Sequence, residues 1–370
     1  MIILGICLSY QSSACLMING EIKNAISEER FSGIKDDESY PKKSIDYILK
    51  KNNIKPSDID YVAHLGNHWT PYYLLVNRFS KFTVLDRKRE ENQYWYPKLY
   101  QNKKNLSQVK LFKDKINYNQ FPGKKYWKKN LKKYEKENDD TKNKHLIEDG
   151  KRIRCELVKK HLGIEKNKIK FIDHSMGHIC FAYFTSTKNP KKTLNISIDA
   201  YADGINYAAW IFEKNKGHLN KREIIRSGTS IIARLYRYTT LILNLKPDQH
   251  EYKVMGMAPY AKAKYTSNLV EKLKKIQDIK GIDFKWKKKP KDTYFFFKSF
   301  FENHRFDTIA GALQSYTEYL LVKLFHNLIK KFKIKHINYA GGVAMNVKAN
   351  MLLSDLNKST RLHVPFAPDD

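Results

Sequence analysis

The feature that most limits what this chain can fold into is a plan stated twice. Near the N-terminus, residues 2–10, 14–18 and 21–27 read as short apolar strands, the last two joined by Asn19-Gly20. Asn-Gly is the strongest short hairpin signal, because both positions of a type I′ turn need positive φ. The same grammar returns later: an apolar strand over 194–199 ends in small polar residues, and a second strand over 206–212 runs to the turn Lys216-Gly217. A chain that opens two lobes in the same way predicts a duplicated α/β protein. Two such openings, each beside a small-residue turn, would direct two loops at one bound phosphate compound.

The segments between fit this plan. Pro41 opens PKKSIDYILKKNN, whose Ile45, Ile48 and Leu49 recur at helical spacing, and residues 59–64 read as the next strand. A strand over 169–173, a helix over about 175–185, a helix over 310–331, a strand over 336–340, a helix over about 344–353 and a strand over 361–364 follow. Residues 69–165 break the rhythm with a basic, aromatic-rich, mostly helical stretch that includes NQYWYPKLYQNKK and FPGKKYWKKNLKKYEKE. At 370 residues the chain exceeds what one core comfortably supports. The expected domains are a first lobe over 1–190, carrying the insertion at about 69–165, and a second lobe over 191–370 that is incomplete at its C-terminal end.

Composition narrows the class. Cys7, Cys15, Cys155 and Cys180 are scattered with no CxxC pair, which points to a reducing compartment. The first residues carry no charged leader, and no run of about 18 apolar residues follows, so a soluble, cytoplasmic protein without a membrane span is expected. Of the net charge of +31, about +16 falls within residues 71–170 and about +8 within 261–300, away from the motifs below. Such an excess can serve nucleic acid, an anionic surface or phosphorylated substrates, or simply decorate solvent faces.

Several short motifs carry candidate chemistry. His174 and His178 stand at i and i+4 at the start of a helix, so both imidazoles can reach one metal ion. A second such pair, His64 and His68, falls on a loop in this reading. Asp199 and Asp203, in SIDAYADG, close an apolar strand where carboxylates can complete a metal shell or make a turn with Gly204. Gly341 and Gly342, in YAGGVAMN, join a strand to a helix, suiting either a nucleotide or tight packing. Lys253, in EYKVMGMAPYAK, is a cation that could meet phosphate.

Taken together these segments resemble the carbamoyltransferases of the nodulation-factor and antibiotic-tailoring type. The resemblance is carried by ILGICLSYQSSACLMINGEIKNAISEERF, Tyr40-Pro41, IDHSMGHICFAYFTS, SIDAYADG, EYKVMGMAPYAK, INYAGGVAMNVKAN and HVPFAPDD. The main domain of that family is similar to the tRNA threonylcarbamoyltransferase. The resemblance implies the two-lobed actin/hexokinase-like fold, a ribonuclease H-like duplication. It also implies ATP-dependent O-carbamoyl transfer, in which carbamoyl-adenylate, made from carbamoyl phosphate and ATP by a YrdC-like domain, is attacked by a hydroxyl of a sugar or other metabolite. On this carry-over His174, His178, Asp199 and Asp370 hold a divalent iron, zinc or manganese ion. Ser12, Ser13, Gly204, Gly341, Gly342 and Asn346 face the nucleotide, and Lys253 and Asp203 are the catalytic candidates. The YrdC-like domain is expected as a separate partner.

Gln11 and Ser12 stand where that family has a His-Asp pair, and a neutral amide cannot act as a general base. A relative that binds nucleotide and metal without catalysis is the second reading. An RNA-binding relative of the tRNA-modifying type, driven by the charge, is the third and less favoured one.

Overall fold

The computed structural model describes all residues except 105, 137–142 and 370. Asp370, expected as a metal ligand, thus lies outside the described residues. The rest divides into two compact units, residues 1–174 and 175–369.

In the first unit, β1 (Ile2–Cys7), β2 (Ser13–Ile18), β3 (Glu21–Ser27), β4 (Tyr61–Leu65) and β5 (Ile169–Ile172) form one sheet in the order β3-β2-β1-β4-β5. The β1-β2-β3 ribbon is antiparallel, and β4 and β5 add in parallel. Asn19 and Gly20 take φ of 51° and 87°, the conformation the Asn-Gly turn requires. Strand alternation sends Leu4, Ile6, Ala14, Leu16 and Val62 to one buried face, where Ile45, Ile48 and Leu49 of helix Lys42–Lys51 meet them. On the other face Gly5, Cys7, Ser13, Cys15, Ala63, Leu65 and Ile172 line a shallow, mostly apolar depression of about 240 Å³.

His64 lies on β4 rather than on a loop, so it and His68 do not share one helix face. It is fully buried, and burial, helped by the nearby Arg154 charge, holds its imidazole well below the usual histidine range. It is a neutral core residue.

The aromatic-rich stretch is largely helical, and its apolar side belongs to the first unit's core. Phe79, Phe112, Trp127 and Leu131 are buried in the same cluster as Leu4 and Ile6. Helix Lys144–Leu162 contributes Ile153, Leu157 and Val158. It also sends the fully buried Arg154 guanidinium to the carbonyl oxygens of Leu65, Gly66 and Asn67.

The second unit repeats the sheet. β6 (Lys192–Ala202), β7 (Ile205–Asn215) and β8 (His218–Ser227) are antiparallel, while β11 (His336–Ala340) and β12 (Arg361–His363) add in parallel, in the order β12-β11-β6-β7-β8. Reading both sheets from their third strand gives one order, 3-2-1-4-5, twice. This is the duplicated ribonuclease H-like plan of the actin/hexokinase-like fold. A separate hairpin, β9 (Gln277–Lys280) and β10 (Asp283–Trp286), turns at Gly281 and was not anticipated, because lysines interrupt its apolar alternation. Helix Phe306–Phe332 buries Leu313, Leu320, Leu321, Leu324 and Leu328 on one face of the large sheet's core. On the other face, Ile179 and Tyr183 of helix His174–Thr185 pack on Ala208 and Phe212 of β7. Among the described residues no helix is long and apolar enough to cross a membrane.

Trp127 is fully buried and meets Phe79 edge to face at a centroid distance of 4.4 Å. Replacing it by alanine should remove about 3–5 kcal/mol of stability, read as a lower midpoint in urea unfolding. A shift below roughly 1 kcal/mol would mean that this helix is peripheral to the core.

Candidate functional site

The site is built just past Ile198, where the β6–β7 ladder is interrupted. Helix His174–Thr185 starts one residue beyond Asp173, just after β5, and its first turn holds His174 while its second holds His178. Positions i and i+4 share a helix face, so both imidazoles turn the same way, and both are buried. The unit boundary falls after His174, within this first turn. Asp199 comes from β6, and one ligand atom from each of His174, His178 and Asp199 lies within 4.8 Å of the others. His178 Nε2 is 3.3 Å from Asp199 Oδ2.

The donor set fits a metal ion. Two imidazoles and a carboxylate suit divalent iron, zinc or manganese. A cation at about 2.0–2.2 Å from tetrahedral ligands sets them roughly 3.3–3.6 Å apart, a separation that His178 Nε2 and Asp199 Oδ2, at 3.3 Å, already have.

The second oxygen of Asp199 is held by backbone. Its Oδ1 accepts the amide of Ala200 at 2.7 Å and that of Gly342 at 3.3 Å. Gly341 takes φ of 94° and donates its amide to the Pro368 carbonyl at 2.7 Å, and a side chain there would collide with the Ile198 carbonyl oxygen. At Gly342 a Cβ would stand 3.0 Å from both Asp199 Oδ1 and Asp369 Oδ1. The two glycines therefore let a turn press against the end of β6 and place the carboxylates of Asp199 and Asp369 side by side. Asp369 was not singled out from sequence, although the doubled aspartate of HVPFAPDD was its signal.

The remaining candidates sit apart from this trio in role. Asp203 and Gly204, with φ of 52° and 84°, form the two-residue turn between β6 and β7, and Asp203 is buried. Lys253 is exposed on helix Glu251–Met257. Asn346 caps helix Val347–Asp355 by accepting the Ala349 amide at 3.0 Å, and its side chain also exchanges hydrogen bonds with Gln314 and reaches Tyr236. In the first unit, Ser12 is fully buried, and its hydroxyl has no hydrogen-bond partner among the described residues. Ser13 opens β2 and lines the shallow depression.

One titratable group near Lys253 was also missed. Burial and the adjacent Asp248 carboxylate push the Glu251 carboxyl up to about 7, against the pull of Arg237. Nothing in a single EYK triplet reveals that shift, because its largest cause is burial, which only the fold provides.

With this geometry in hand, similarity can be weighed. The family model described as Carbamoyltransferase N-terminus matches residues 2–370. The chain belongs to this carbamoyltransferase family. Its curated relatives include an uncharacterized protein of Methanocaldococcus jannaschii, 25% identical over all of this chain and 55% of that protein. Another is an uncharacterized protein of Synechocystis, 23% identical over all of this chain and 55% of that protein. The chain thus spans about half the length of these relatives. Among solved structures it is similar to the activator of 2-hydroxyisocaproyl-CoA dehydratase from Clostridium difficile with bound ADPNP, at TM-score 0.43 and 11% identity, covering 100% of this chain and 90% of that one. Component A of (R)-2-hydroxyglutaryl-CoA dehydratase from Acidaminococcus fermentans gives TM-score 0.40 and 11% identity over 99% of this chain and 90% of that one.

For this carbamoyltransferase-family chain, Gly342→Ala should crowd Asp199 and Asp369 and weaken metal retention measured by titration, while urea unfolding changes by only about 1 kcal/mol. Gly341→Ala should cost more stability, about 1–3 kcal/mol, because it adds a left-handed φ to a backbone collision. Equal metal affinity in wild type and Gly342→Ala would show that this turn does not set the Asp199 carboxylate.

Glu251 gives a pH test. Its folded value of about 7 lies above the ordinary 4.5, so its contribution is fully present below pH 4.5 and is lost as pH rises to about 7. Glu251→Gln stays neutral, so its unfolding free energy relative to wild type should rise across that window and level off above it. A difference that stays flat with pH would place Glu251 in an ordinary carboxylate environment.

Proposed function

We propose that this chain is the part of an ATP-dependent O-carbamoyltransferase that binds the activated carbamoyl group and passes it to a hydroxyl. The observation that carries the reading is the His174, His178 and Asp199 trio, set at the end of β6 in a chain of the carbamoyltransferase family. In the proposed reaction the acceptor oxygen bonds to the carbamoyl carbon of carbamoyl-adenylate, the bond from that carbon to the phosphate oxygen breaks, and AMP leaves with the electron pair. The hydroxyl proton passes to a base.

His174, His178 and Asp199 would hold the divalent ion, with Asp370 as a further candidate. The ion would supply Lewis acidity toward the mixed anhydride. Asp199 is oriented for this by the Ala200 and Gly342 amides, which keep one of its oxygens occupied and leave the other toward His178. Gly204, Gly341 and Gly342 would let the nucleotide approach the backbone without side-chain bulk. Ser12 and Ser13 are the hydroxyl candidates for its phosphates, and the unsatisfied buried hydroxyl of Ser12 supports that part of the assignment. Lys253 would pair with phosphate oxygens, and the buried Asp203 carboxylate is the candidate proton acceptor. Asn346 contributes by fixing the helix that follows the glycine turn. Carbamoyl-adenylate would come from carbamoyl phosphate and ATP on a YrdC-like domain, and the acceptor would be a sugar or other hydroxyl-bearing metabolite.

A non-catalytic relative is favoured by one observation. Gln11 is exposed, and its amide donates to Asp36 at 3.2 Å, so it provides no base at the first loop.

The test is elemental analysis of the purified chain beside the His174→Ala/His178→Ala variant, both with AMP, followed by a transfer assay with a YrdC-like partner and carbamoyl phosphate. The expected result is near-stoichiometric metal that the variant loses, together with carbamoylated product from wild type alone. Metal retention without product would select the non-catalytic reading, and no metal in either sample would overturn the site.

A further inference from the structure

Away from these residues, one helix carries charge as no other described helix does. Helix Lys124–Tyr134 reads KKYWKKNLKKY, with Lys124, Lys125, Lys128, Lys129, Lys132 and Lys133 and no acidic residue. Its inner side, Trp127, Asn130, Leu131 and Tyr134, is buried. All six lysines are exposed. They form three pairs down one face, each about 6 Å from the next at a rise of 1.5 Å per residue.

Lys133 has a carboxylate, Asp149, at 2.8 Å. Lys124, Lys125, Lys128, Lys129 and Lys132 have no ion-pair partner among the described residues. Several other lysine-bearing helices carry acidic residues that answer at least one of their cations, as in Lys42 with Asp46, Lys151 with Glu148, Arg152 with Glu156 and Lys274 with Glu271, whereas helix Lys124–Tyr134 contains no acidic residue at all. General lysine abundance therefore does not account for this face.

The charge also works against the helix that bears it. Like charges at i and i+4 destabilise a helix, and here they recur at 124/128, 125/129, 128/132 and 129/133. Lys124 and Lys125 occupy the first turn, where the helix dipole disfavours cations, and Gly123 provides no side-chain cap. The buried face holds the helix in place despite its outer one. Lys160 adds a further exposed cation alongside, 5.9 Å from the centre of the Tyr126 ring.

We propose that this lysine face docks the phosphate backbone of a single-stranded nucleic acid. The inference goes beyond carbamoyl transfer and does not depend on it. Closely spaced phosphates would neutralise successive lysine pairs and release condensed counterions. A bilayer fits less well, because a helix that binds a membrane surface turns its apolar side outward, and here that side is inside the unit.

The experiment measures fluorescence anisotropy of a labelled uridine oligonucleotide of about 20 nucleotides, titrated with the full chain across roughly 50 to 200 mM salt. Wild type is compared with K124Q/K125Q/K128Q/K129Q and with K272Q/K275Q/K285Q/K289Q, which removes equal charge from exposed lysines elsewhere. The helix variant should bind at least about tenfold more weakly, and its slope of log affinity against log salt should fall by roughly 3, at about 0.7 per lost phosphate contact. The control should stay within about twofold, and K124R/K125R/K128R/K129R should bind as wild type does. Both glutamine variants should melt at or above the wild-type temperature. If the quadruple helix variant folds poorly, K128Q/K129Q should lower the slope by about half as much, roughly 1.4. Equal loss in helix and control variants, no binding by wild type, or binding to phosphatidylserine vesicles in place of the oligonucleotide would each overturn the proposal.

Discussion

The candidate site hangs on how one central strand ends. β6 is paired on both sides, with β7 antiparallel and β11 parallel, so its backbone is fixed up to the point where Asp199 leaves the ladder. Beyond that point the Gly341-Gly342 turn takes over, pressing on Ile198 and donating an amide to the Asp199 carboxylate. The carboxylate is thus positioned by main chain from two strands rather than by other flexible side chains. Rigid elements of this kind can hold a ligand-binding constellation to within a fraction of an ångström.

This dependence explains why the GG pair tolerates so little. A turn that only joined a strand to a helix could carry a side chain at its second position. Here that space is taken by two carboxylates, and at the first position by the neighbouring strand's carbonyl. The same turn also ties down the Pro368 carbonyl, which brings Asp369 beside Asp199. Tight packing, one of the two readings open when only the sequence is considered, is what these two residues serve, and the same packing sets the Asp199 carboxylate.

Much of the fold was legible because its signals are local. Asn19-Gly20 specifies its own turn, Ile45, Ile48 and Leu49 specify a helix face, and apolar residues at alternate positions, Leu194, Ile196 and Ile198 and then Ile337 and Tyr339, mark β6 and β11. The β9-β10 hairpin escaped because Lys280 and Lys285 break up the apolar pattern that marks a strand. The histidine pair was visible through its spacing, and a strand-end aspartate was a natural companion. Asp369 and Glu251 were not visible, since each gains its character from the fold: Asp369 from the Gly342 turn and Asp199, Glu251 from burial and the Asp248 carboxylate. Asn346 illustrates the converse. Its place after the glycine turn suggested a ligand contact, whereas its amide is committed to Ala349, Gln314 and Tyr236.

Arg154 changes what kind of object the basic segment is. Its guanidinium is wholly enclosed and answers the carbonyl groups of Leu65, Gly66 and Asn67, at and just beyond the end of β4, which would otherwise lack those donors. A segment attached in this way is not a detachable ornament on an older core. Excising residues 69–165 to obtain a minimal unit would expose or strand three peptide oxygens and uncover the strand beside them. Any trimmed version of this chain would therefore have to keep helix Lys144–Leu162, whose Asp149 also pairs with Lys133 of the lysine-rich helix.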